Sequence, residues 1–312
     1  MTTSAAVVPN WNGRRWLPGC LASLASQTRP FDRVVLVDNG STDGSLELLE
    51  REYPDVEVMA LGENTGFAHA ANRGVEAVEA DAVALVNTDV ELDPAWHERM
   101  FGALEREPRA GAVACKMVDL GDPGRIYDAG DFLRRDGVAE QRGRFERDDG
   151  RFDSPGAAFS ACAGAALYRR AALLQAGGFD ERYFVYLEDV ELGLRLRLAG
   201  WECLYEPALA RHAGAGSAGA LGGGPLAWVE RNTLLLVARH FPLRWLPYVG
   251  YRQLGWAWHA ARERRLRAHL RGATAALPLV PAMLRERRAA RRPAVAIEQA
   301  VPERPIRRAA GA

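Results

Sequence analysis

Carboxylates at three places in the 312-residue sequence could carry out chemistry. Asp38 and Asp89 each follow a short apolar run, and Glu188 and Asp189 stand together farther along the chain. A carboxylate can accept a hydrogen bond from a nucleobase or a ribose, bind Mg²⁺ as a hard oxygen ligand, or remove a proton as a general base. These residue types therefore point to nucleotide binding, metal binding and proton transfer.

Each candidate also has an ordinary structural explanation. Asp38 stands beside Asn39-Gly40-Ser41 and could form an Asx turn or a helix cap. The triplet Asn87-Thr88-Asp89 has a composition that is common in strand-to-helix turns. His212 precedes a glycine-rich stretch, where it could be a surface residue or a metal ligand beside a movable loop. Taken one at a time, these residues leave both explanations open.

The segment around Glu188 is the richest in candidate residues. Its acids would lie in the first turn of a helix, where the helix dipole stabilises negative charge. Neighbouring residues on a helix point about 100° apart, so Glu188 and Asp189 cannot have the same role. Glu191 lies four residues before Arg195, which also permits a plain ion pair on a solvated face. Four aromatic residues before the helix are expected to form the wall of a cleft: Phe179, Tyr183, Phe184 and Tyr186.

The elements that position these side chains alternate between strand and helix. Short continuous apolar runs predict buried strands, and apolar residues spaced by three and four predict helices between them. Such alternation is typical of a parallel sheet covered on both faces, where ligands bind outside the carboxyl ends of the strands. Asp38 and Asp89 follow two of those ends. The predicted strands cover residues 5–8, 33–37, 56–60, 82–86, 112–118 and 165–168, and the predicted helices cover 16–26, 45–53, 67–79, 93–106 and 188–199.

Composition and charge narrow the possible functions. The 40 basic and 40 acidic residues balance, which argues against a nucleic-acid binder. From Arg262 to the end, however, 13 arginines face four acids, and several tryptophans and tyrosines precede them between Trp228 and Trp258. Aromatic and basic residues together suit an anionic membrane surface, although a packed helical appendage would have the same composition.

The cysteines and the apolar runs indicate the compartment. Four cysteines, far apart and without a CxxC pair, predict reduced thiols rather than a disulfide framework. The N-terminus has no basic segment before a long apolar run, and no run of 18 apolar residues occurs. We therefore expect a cytoplasmic protein and leave open its peripheral attachment to the inner face of the cytoplasmic membrane.

Six segments, taken in order, resemble family 2 glycosyltransferases, and especially the bacterial rhamnosyltransferase-like branch of cell-wall and O-antigen assembly. The resemblance covers about residues 5–240, and the last two segments at their mutual spacing are the most specific. The segments are VVPNWNGRRWLPGCLASLASQ (7–27), VLVDNGSTDGS (35–45), NTGFAHAANRG (64–74), LVNTDVELDP (85–94), GAALYRR (164–170) and GGFDERYFVYLEDVELGLRLRLAGW (177–201).

This resemblance implies a GT-A fold, an α/β architecture with a Rossmann-like half and a mixed, mainly parallel sheet. We expect residues 1–224 to form that domain, with a nucleotide-sugar-binding half at 1–110 and an acceptor-binding half at 111–224. Residues 225–292 are expected to form a helical, basic appendage that could contact a membrane surface. Residues 293–312, rich in Ala, Arg, Glu and Pro, are expected to be a disordered tail.

Family members transfer a sugar from a nucleotide diphosphate donor with inversion, so the resemblance also implies a divalent metal, Mg²⁺ or Mn²⁺. Carried over by residue, Asp38 would bind the nucleobase and Asp89 the metal. The sequence departs from a full DxD motif at Asn87, which favours a supporting metal contact from His212. The nucleotide-sugar site is expected to contain Asn10, Asp38, Asn39, Asn64, Gly66, Asn72, Asn87, Thr88 and Asp89.

The resemblance assigns the general base to Asp189, with Glu188 as the alternative. An inverting transfer is one in-line displacement, so one base at the acceptor hydroxyl and one metal-binding carboxylate at the donor are sufficient. The donor is expected to be dTDP-rhamnose or a UDP-sugar, because Asp38 could bind the N3–H of thymine or uracil. The acceptor is expected to be a saccharide or a polyprenyl-linked sugar in cell-envelope polysaccharide synthesis.

Three other functions fit the residues less well. A nicotinamide-binding enzyme would have GxGxxG after the first strand, where the sequence has Pro9-Asn10-Trp11-Asn12-Gly13. A sugar-nucleotide pyrophosphorylase would have a glycine-rich, basic loop there, and only Arg14-Arg15 is basic. A non-catalytic sugar-nucleotide-binding or scaffold protein with this fold could dispense with Asp89, Asp189 and His212, which are all present.

Overall fold

A ten-stranded sheet forms the centre of the computed structural model, which describes residues 3–214, 224–290 and 294–301. In chain order the strands are β1 (Ser4–Asn10), β2 (Arg33–Asp38), β3 (Glu57–Ala60), β4 (Ala82–Val86), β5 (Val90–Leu92), β6 (Ala110–Asp119), β7 (Ile126–Asp128), β8 (Asp131–Leu133), β9 (Ala139–Gln141), β10 (Gly156–Ala158), β11 (Ala165–Arg169) and β12 (Glu202–His212). The main sheet has the order β10-β12-β6-β11-β4-β1-β2-β3, with β5 beside β12 and β7 beside β6, while β8 and β9 form a separate pair.

The sheet is mixed but mainly parallel along its N-terminal half, as the sequence predicts. Strand β1 lies parallel to β2 and to β4, and β2 lies parallel to β3. Strand β11 is antiparallel to both β4 and β6, which joins the two halves of the sheet. Successive residues of β1 pack into the cores on opposite faces, Val7 on one side and Val8 on the other. Burial on both faces explains why these strands are continuous apolar runs.

Helices cover both faces of the sheet and continue past it. In chain order they are α1 (Leu17–Ala25), α2 (Ser45–Glu52), α3 (Phe67–Ala77), α4 (Trp96–Arg106), α5 (Arg170–Ala176), α6 (Glu188–Leu198), α7 (Gly224–His240), α8 (Leu246–Arg262), α9 (Leu266–Ala276), α10 (Val280–Ala290) and α11 (Ala294–Ala300). The helices predicted from apolar spacing correspond to α1–α4 and α6. No pattern indicated α5, which has only seven residues.

The C-terminal helices share a third core with α6. Leu235 and Phe241 from the end of α7 pack in one cluster with Val190 and Leu194 of α6. The prediction of a disordered tail from residue 293 is wrong for Ala294–Ala300, because this segment is helical and Ile297 is buried in the same cluster. Residues 302–312 of that predicted tail, and residues 215–223 of the predicted glycine-rich loop, lie outside the described residues.

The helices and the cysteine side chains of the structure address membrane spanning and disulfide pairing. Within residues 3–214, 224–290 and 294–301, the helices are all too short or too polar to span a bilayer. The four cysteines carry free thiols. Three of them are buried, at Cys20, Cys115 and Cys203.

Candidate active site

Polar side chains at the carboxyl ends of three adjacent parallel strands are joined by hydrogen bonds. The Asn10 amide at the end of β1 donates to Asp38 Oδ2 at the end of β2 at 2.8 Å. The Thr88 hydroxyl after β4 donates to Asn10 Oδ1 at 3.2 Å. Asp38 Oδ1 accepts from the Ser41 backbone N–H at 3.0 Å, and Asp38 is only 1% exposed. The strand ends thus form one connected polar edge.

A second polar group fixes the loop that leads into α3. The Asn39 amide donates to Asn64 Oδ1 and to the Gly66 carbonyl, both at 3.1 Å. The backbone N–H of Thr65 donates in return to Asn39 Oδ1 at 2.9 Å. Gly66 has a φ of 90°, and a Cβ there would overlap the ring of Phe184. Only glycine allows the loop and the aromatic ring to approach this closely.

A cleft of about 1240 Å³ opens in front of this edge. That volume exceeds the ~300–1,000 Å³ of ordinary small-molecule pockets, so donor and acceptor groups can occupy it together. Ten of the predicted site residues line it: Asn10, Asn39, Asn64, Gly66, Asn87, Thr88, Asp89, Glu188, Asp189 and His212.

Asp38 and Asn72 do not line that cleft. Asp38 lies behind it, with both carboxylate oxygens engaged as described above. Asn72 clamps the backbone of Phe179, donating to its carbonyl at 2.9 Å and accepting from its N–H at 2.8 Å. The structure therefore does not bring these two residues to the cleft with the others, and Asn72 acts as a link between α3 and the segment before α6.

Asp89 and His212 form the candidate metal site. His212 ends β12, and its Nε2 lies 3.4 Å from Asp89 Oδ1. Asp89 Oδ2 is buried and has no hydrogen-bond partner in the part of the chain that the structure describes. Burial lowers the pKa of His212, against the opposing effect of the Asp89 charge, so the imidazole is neutral near pH 7. An unpartnered buried carboxylate oxygen beside a neutral imidazole is the donor set that a divalent cation would complete.

The two side chains are not equally prepared for a metal. His212 Nδ1 accepts the Gly214 backbone N–H at 2.9 Å, so the ring proton of the neutral imidazole lies on Nε2. Binding a cation through Nε2 requires that proton to move and the Gly214 hydrogen bond to open. The described residues contain no group of three or more His, Cys, Asp or Glu side chains arranged for a metal. Asp89 is therefore the better ligand, and a bound cation would take most of its ligands from phosphate and water.

Glu188 and Asp189 differ in the hydrogen bonds that their carboxyl groups accept. Asp189 accepts two backbone hydrogen bonds, from Ala163 at 3.1 Å and from Val190 at 2.8 Å. Glu188 is 5% exposed, and its Oε2 has no partner among the residues that the structure describes. Burial raises the pKa of both carboxyls, and the charge of Asp189 raises that of Glu188 further. Since hydrogen bonds from backbone N–H groups favour the charged form, Asp189 is the more readily ionised of the two acids and Glu188 the more readily protonated.

One short segment connects the two carboxylate sites. The Ala163 N–H binds Asp189, and the carbonyl of the next residue, Gly164, accepts the Asn87 N–H at 2.8 Å. Asn87 begins the turn that carries Asp89. Hydrogen bonds therefore connect both acid-bearing segments to Ala163 and Gly164, the two residues before β11. The segment therefore fixes the relative positions of the two sites.

Sequence reasoning missed several residues on the acceptor side of the cleft. Asp131, Arg142 and Arg144 line it, and the Arg144 guanidinium lies 4.3 Å from the ring centroid of Tyr127. Tyr127 in turn lies 4.2 Å from the His212 ring. Burial, followed by the charge of Asp189, raises the pKa of nearby Asp128 to about 7. Tyr127, Asp128 and Asp131 lie on strands of three residues, too short to show a periodic pattern, and Arg142 and Arg144 lie in the turn after β9.

The mixed, mainly parallel sheet with a large cleft at its polar edge has the GT-A fold. Comparison with known proteins agrees. The family model described as Glycosyl transferase family 2 matches residues 5–176. The N-acetylglucosaminyl-diphospho-decaprenol L-rhamnosyltransferase of Mycobacterium tuberculosis is 36% identical over 258 residues, covering 72% of this chain and 82% of that protein. The chain belongs to glycosyl transferase family 2 and is a glycosyltransferase.

Solved structures show the same fold at low sequence identity. GalNAc-T7 with UDP, GalNAc and Mn²⁺ has a TM-score of 0.63 at 15% identity, covering 79% of this chain and 49% of that one. The mannosyltransferase PcManGT from Pyrobaculum calidifontis, with GDP-Man and Mn²⁺, has a TM-score of 0.52 at 20% identity, covering 92% of this chain and 79% of that one. The predicted GT-A fold is confirmed.

The raised pKa of Glu188 gives a pH-dependent stability. The pKa of Glu188 is higher in the folded protein than in the unfolded chain. Between these two pKa values the folded protein keeps a proton that the unfolded chain has released, so the free energy of unfolding falls as pH rises. Glu188→Gln removes this titration. We expect the stability of the variant relative to the wild type to increase as pH rises above the ordinary glutamate pKa of 4.5, measured by urea denaturation.

Glu47→Gln, on the exposed surface of α2, is the matched control and should show no such trend. A stability difference between Glu188→Gln and the wild type that stays constant or shrinks with rising pH would show that Glu188 is ionised in the folded protein.

Proposed function

We propose that this chain is an inverting, metal-dependent glycosyltransferase of cell-envelope polysaccharide synthesis. It moves a sugar, with L-rhamnose favoured, from a nucleotide diphosphate to a saccharide or polyprenyl-linked acceptor. The observation that carries the proposal is that Asp89 and Asp189 line one cleft in different environments. The sugar and the lipid-linked acceptor are those in the name of the Mycobacterium tuberculosis relative.

The donor half of the cleft binds the nucleotide diphosphate. Asn39, Asn64 and Gly66 shape the wall beside α3, and Asp89 with His212 would bind Mg²⁺ or Mn²⁺. The cation supplies positive charge that stabilises the departing diphosphate. Arg144, stacked on Tyr127 next to His212, adds a protein cation beside the proposed metal site. The base is thymine in dTDP-rhamnose or uracil in a UDP-sugar.

The acceptor half delivers the nucleophile. Asp189 removes the proton of an acceptor hydroxyl as its oxygen attacks the anomeric carbon, and the bond from that carbon to the diphosphate oxygen breaks on the opposite face. One displacement of this kind inverts the anomeric configuration. Burial and the charge of Asp189 raise the pKa of Glu188, and in its protonated form Glu188 can donate a hydrogen bond beside Asp189. The N–H groups of Ala163 and Val190 keep the Asp189 carboxylate oriented.

Replacing the base tests the acid–base assignment. General-base assistance contributes about 10²–10⁴ in rate, so Asp189→Asn should lower turnover by a factor in that range while nucleotide binding stays unchanged. The assay measures dTDP release from dTDP-rhamnose with a synthetic N-acetylglucosaminyl-diphospho-lipid, and UDP release from UDP-sugars. Glu188→Gln should retain more activity than Asp189→Asn. Full activity in Asp189→Asn together with loss in Glu188→Gln would reverse the assignment.

Metal-dependent nucleotide binding tests the donor site. A nucleotide that binds the folded state at 100 times its Kd stabilises by about 2.7 kcal/mol. We expect dTDP or UDP to raise the melting temperature only with Mn²⁺ or Mg²⁺, and Asp89→Ala to remove this shift. His212→Ala should weaken it less, because its ring must change tautomer to bind a cation.

Glu47→Ala serves as the control for loss of an acid outside the cleft and should behave as the wild type. Calorimetry showing equal nucleotide affinity for Asp89→Ala and the wild type in Mg²⁺ would refute the metal role of Asp89.

We also propose a cytoplasmic location with peripheral attachment to an anionic membrane face. Helix α8 buries Val249 and Ala260 and exposes an apolar, aromatic face on its other side, with Tyr251 80% and Trp258 62% exposed. Exposed arginines follow at the end of α8 and into α9: Arg262, Arg264, Arg265, Arg267 and Arg271. Exposed aromatics insert at the headgroup level, and each arginine near an anionic surface contributes about 1 kcal/mol.

Surface substitutions test this attachment without disturbing the core. Tyr251→Ser, Leu254→Ser and Trp258→Ser combined should strongly reduce co-sedimentation with phosphatidylglycerol vesicles, because all three side chains are exposed. Leu174→Ser, an exposed apolar residue on α5, is the matched control. Deleting residues 262–312 is a less specific test because it also removes the buried Met283. Unchanged vesicle binding by the triple variant would exclude α8 as the membrane contact.

A further inference from the structure

The loop that leads into α6 has an unusual backbone. Phe184, Tyr186 and Leu187 have φ values of 62°, 69° and 66°, in the left-handed region. Side chains with a Cβ rarely adopt this region, and such residues persist only where their surroundings hold them. All three line the cleft immediately before Glu188 and Asp189. The position of the catalytic acids therefore depends on whatever holds this loop.

Asn232 of α7 makes the contacts that hold it. Its side-chain nitrogen donates to the carbonyls of Tyr183 at 2.9 Å, Val185 at 2.8 Å and Tyr186 at 2.6 Å. An amide nitrogen has two hydrogens, so two of these carbonyls share one of them. Asn232 is 0% exposed, which removes competition from water and makes any unmade bond costly.

Neighbours on α7 complete this attachment. Arg231 donates to Asn232 Oδ1 at 2.6 Å, which fixes the amide orientation, and to the Arg182 carbonyl at 2.7 Å. The Trp228 ring stacks on Phe184 with centroids 4.9 Å apart. Phe184 also packs against Gly66 of the donor half, and its carbonyl accepts the Ala68 N–H at 3.2 Å. The loop thus touches both halves of the cleft and α7 at once.

We propose that Asn232 is a positioning residue for the transfer reaction. By binding three carbonyls of the 183–186 segment, it holds the left-handed backbone that aims Tyr186, Glu188 and Asp189 into the cleft. Helix α7 lies beyond the region matched by the family model. On this proposal it nevertheless contributes to the active site by positioning the loop before α6. The proposal rests on the proposed function only in taking Asp189 as the base.

Asn232→Ala tests the proposal directly. Misplacing a catalytic group by about 1 Å costs about 10²-fold in rate, so we expect kcat for dTDP-rhamnose to fall between about 10-fold and 100-fold. The affinity for dTDP with Mn²⁺ should change by less than about twofold. Hydrogen exchange of the folded protein should accelerate in residues 183–189 and stay unchanged in β1 and β4.

Thr233→Val is the matched control, because Thr233 is equally buried on the same helix and has no hydrogen bond to the loop. It should retain kcat and the exchange rates of residues 183–189. Unchanged loop exchange in Asn232→Ala, or a kcat within twofold of the wild type, would overturn the proposal. If the wild type transfers no sugar from dTDP-rhamnose, the substrate assignment fails while the exchange measurement still decides the role of Asn232.

Asn232→Asp covers the case in which the alanine variant does not fold. An aspartate of the same shape can donate a hydrogen bond only when protonated, so the ratio of variant to wild-type kcat should rise as pH falls. A purely structural role predicts a ratio that does not change with pH across the range in which both proteins are folded, and that result would contradict the proposal.

Discussion

The proposed mechanism depends on one carboxylate that ionises more readily than the others buried near it. Like charges in a poorly hydrated site cannot all be ionised, and burial raises the pKa of Glu188, Asp128 and Asp131. Burial raises the pKa of Asp189 as well, but two backbone N–H groups point at its oxygens and oppose that effect. A carboxylate that ionises more readily than the acids around it suits proton removal from a hydroxyl.

The proposed mechanism also requires that the proposed base and the proposed metal site be held at fixed positions relative to each other, and the fold does this. Parallel strands bring their carboxyl ends to one edge, where the chain after β4 presents Asp89. The segment Ala163–Gly164 then contacts the Asp89 turn on one side and Asp189 on the other. Because hydrogen bonds connect the segments of both acids to two neighbouring residues, the relative position of the acids does not depend on the flanking loops alone.

Sequence reasoning was most successful where burial imposes a pattern. The apolar strands β1, β2 and β4 and the polar residues that follow them could be predicted because a sheet covered on both faces requires such runs. Helix α11 was missed because its composition resembles a disordered tail, and only Ile297 and its neighbours packing against other helices order it. The short strand that carries Asp131 has too few residues for any periodicity, and Arg144 lies in a turn, so neither could be assigned.

Asp38 and Asn72 have contacts that the sequence does not show. They are hydrogen-bonded to Asn10 and to Phe179, which no spacing in the sequence reveals. Asn232 could not be found either, because its importance comes from three carbonyls on a distant segment. Such residues are visible only when the backbone that they support is known.

A crystal structure with Mn²⁺ and a non-transferable nucleotide diphosphate sugar would test most directly whether Asp89 binds the metal and Asp189 acts as the base. We expect anomalous density for the cation beside the Asp89 carboxylate. We also expect the Asp189 carboxylate on the face of the anomeric carbon opposite the diphosphate. A cation bound away from Asp89, or a sugar whose anomeric carbon faces away from Asp189, would contradict these assignments.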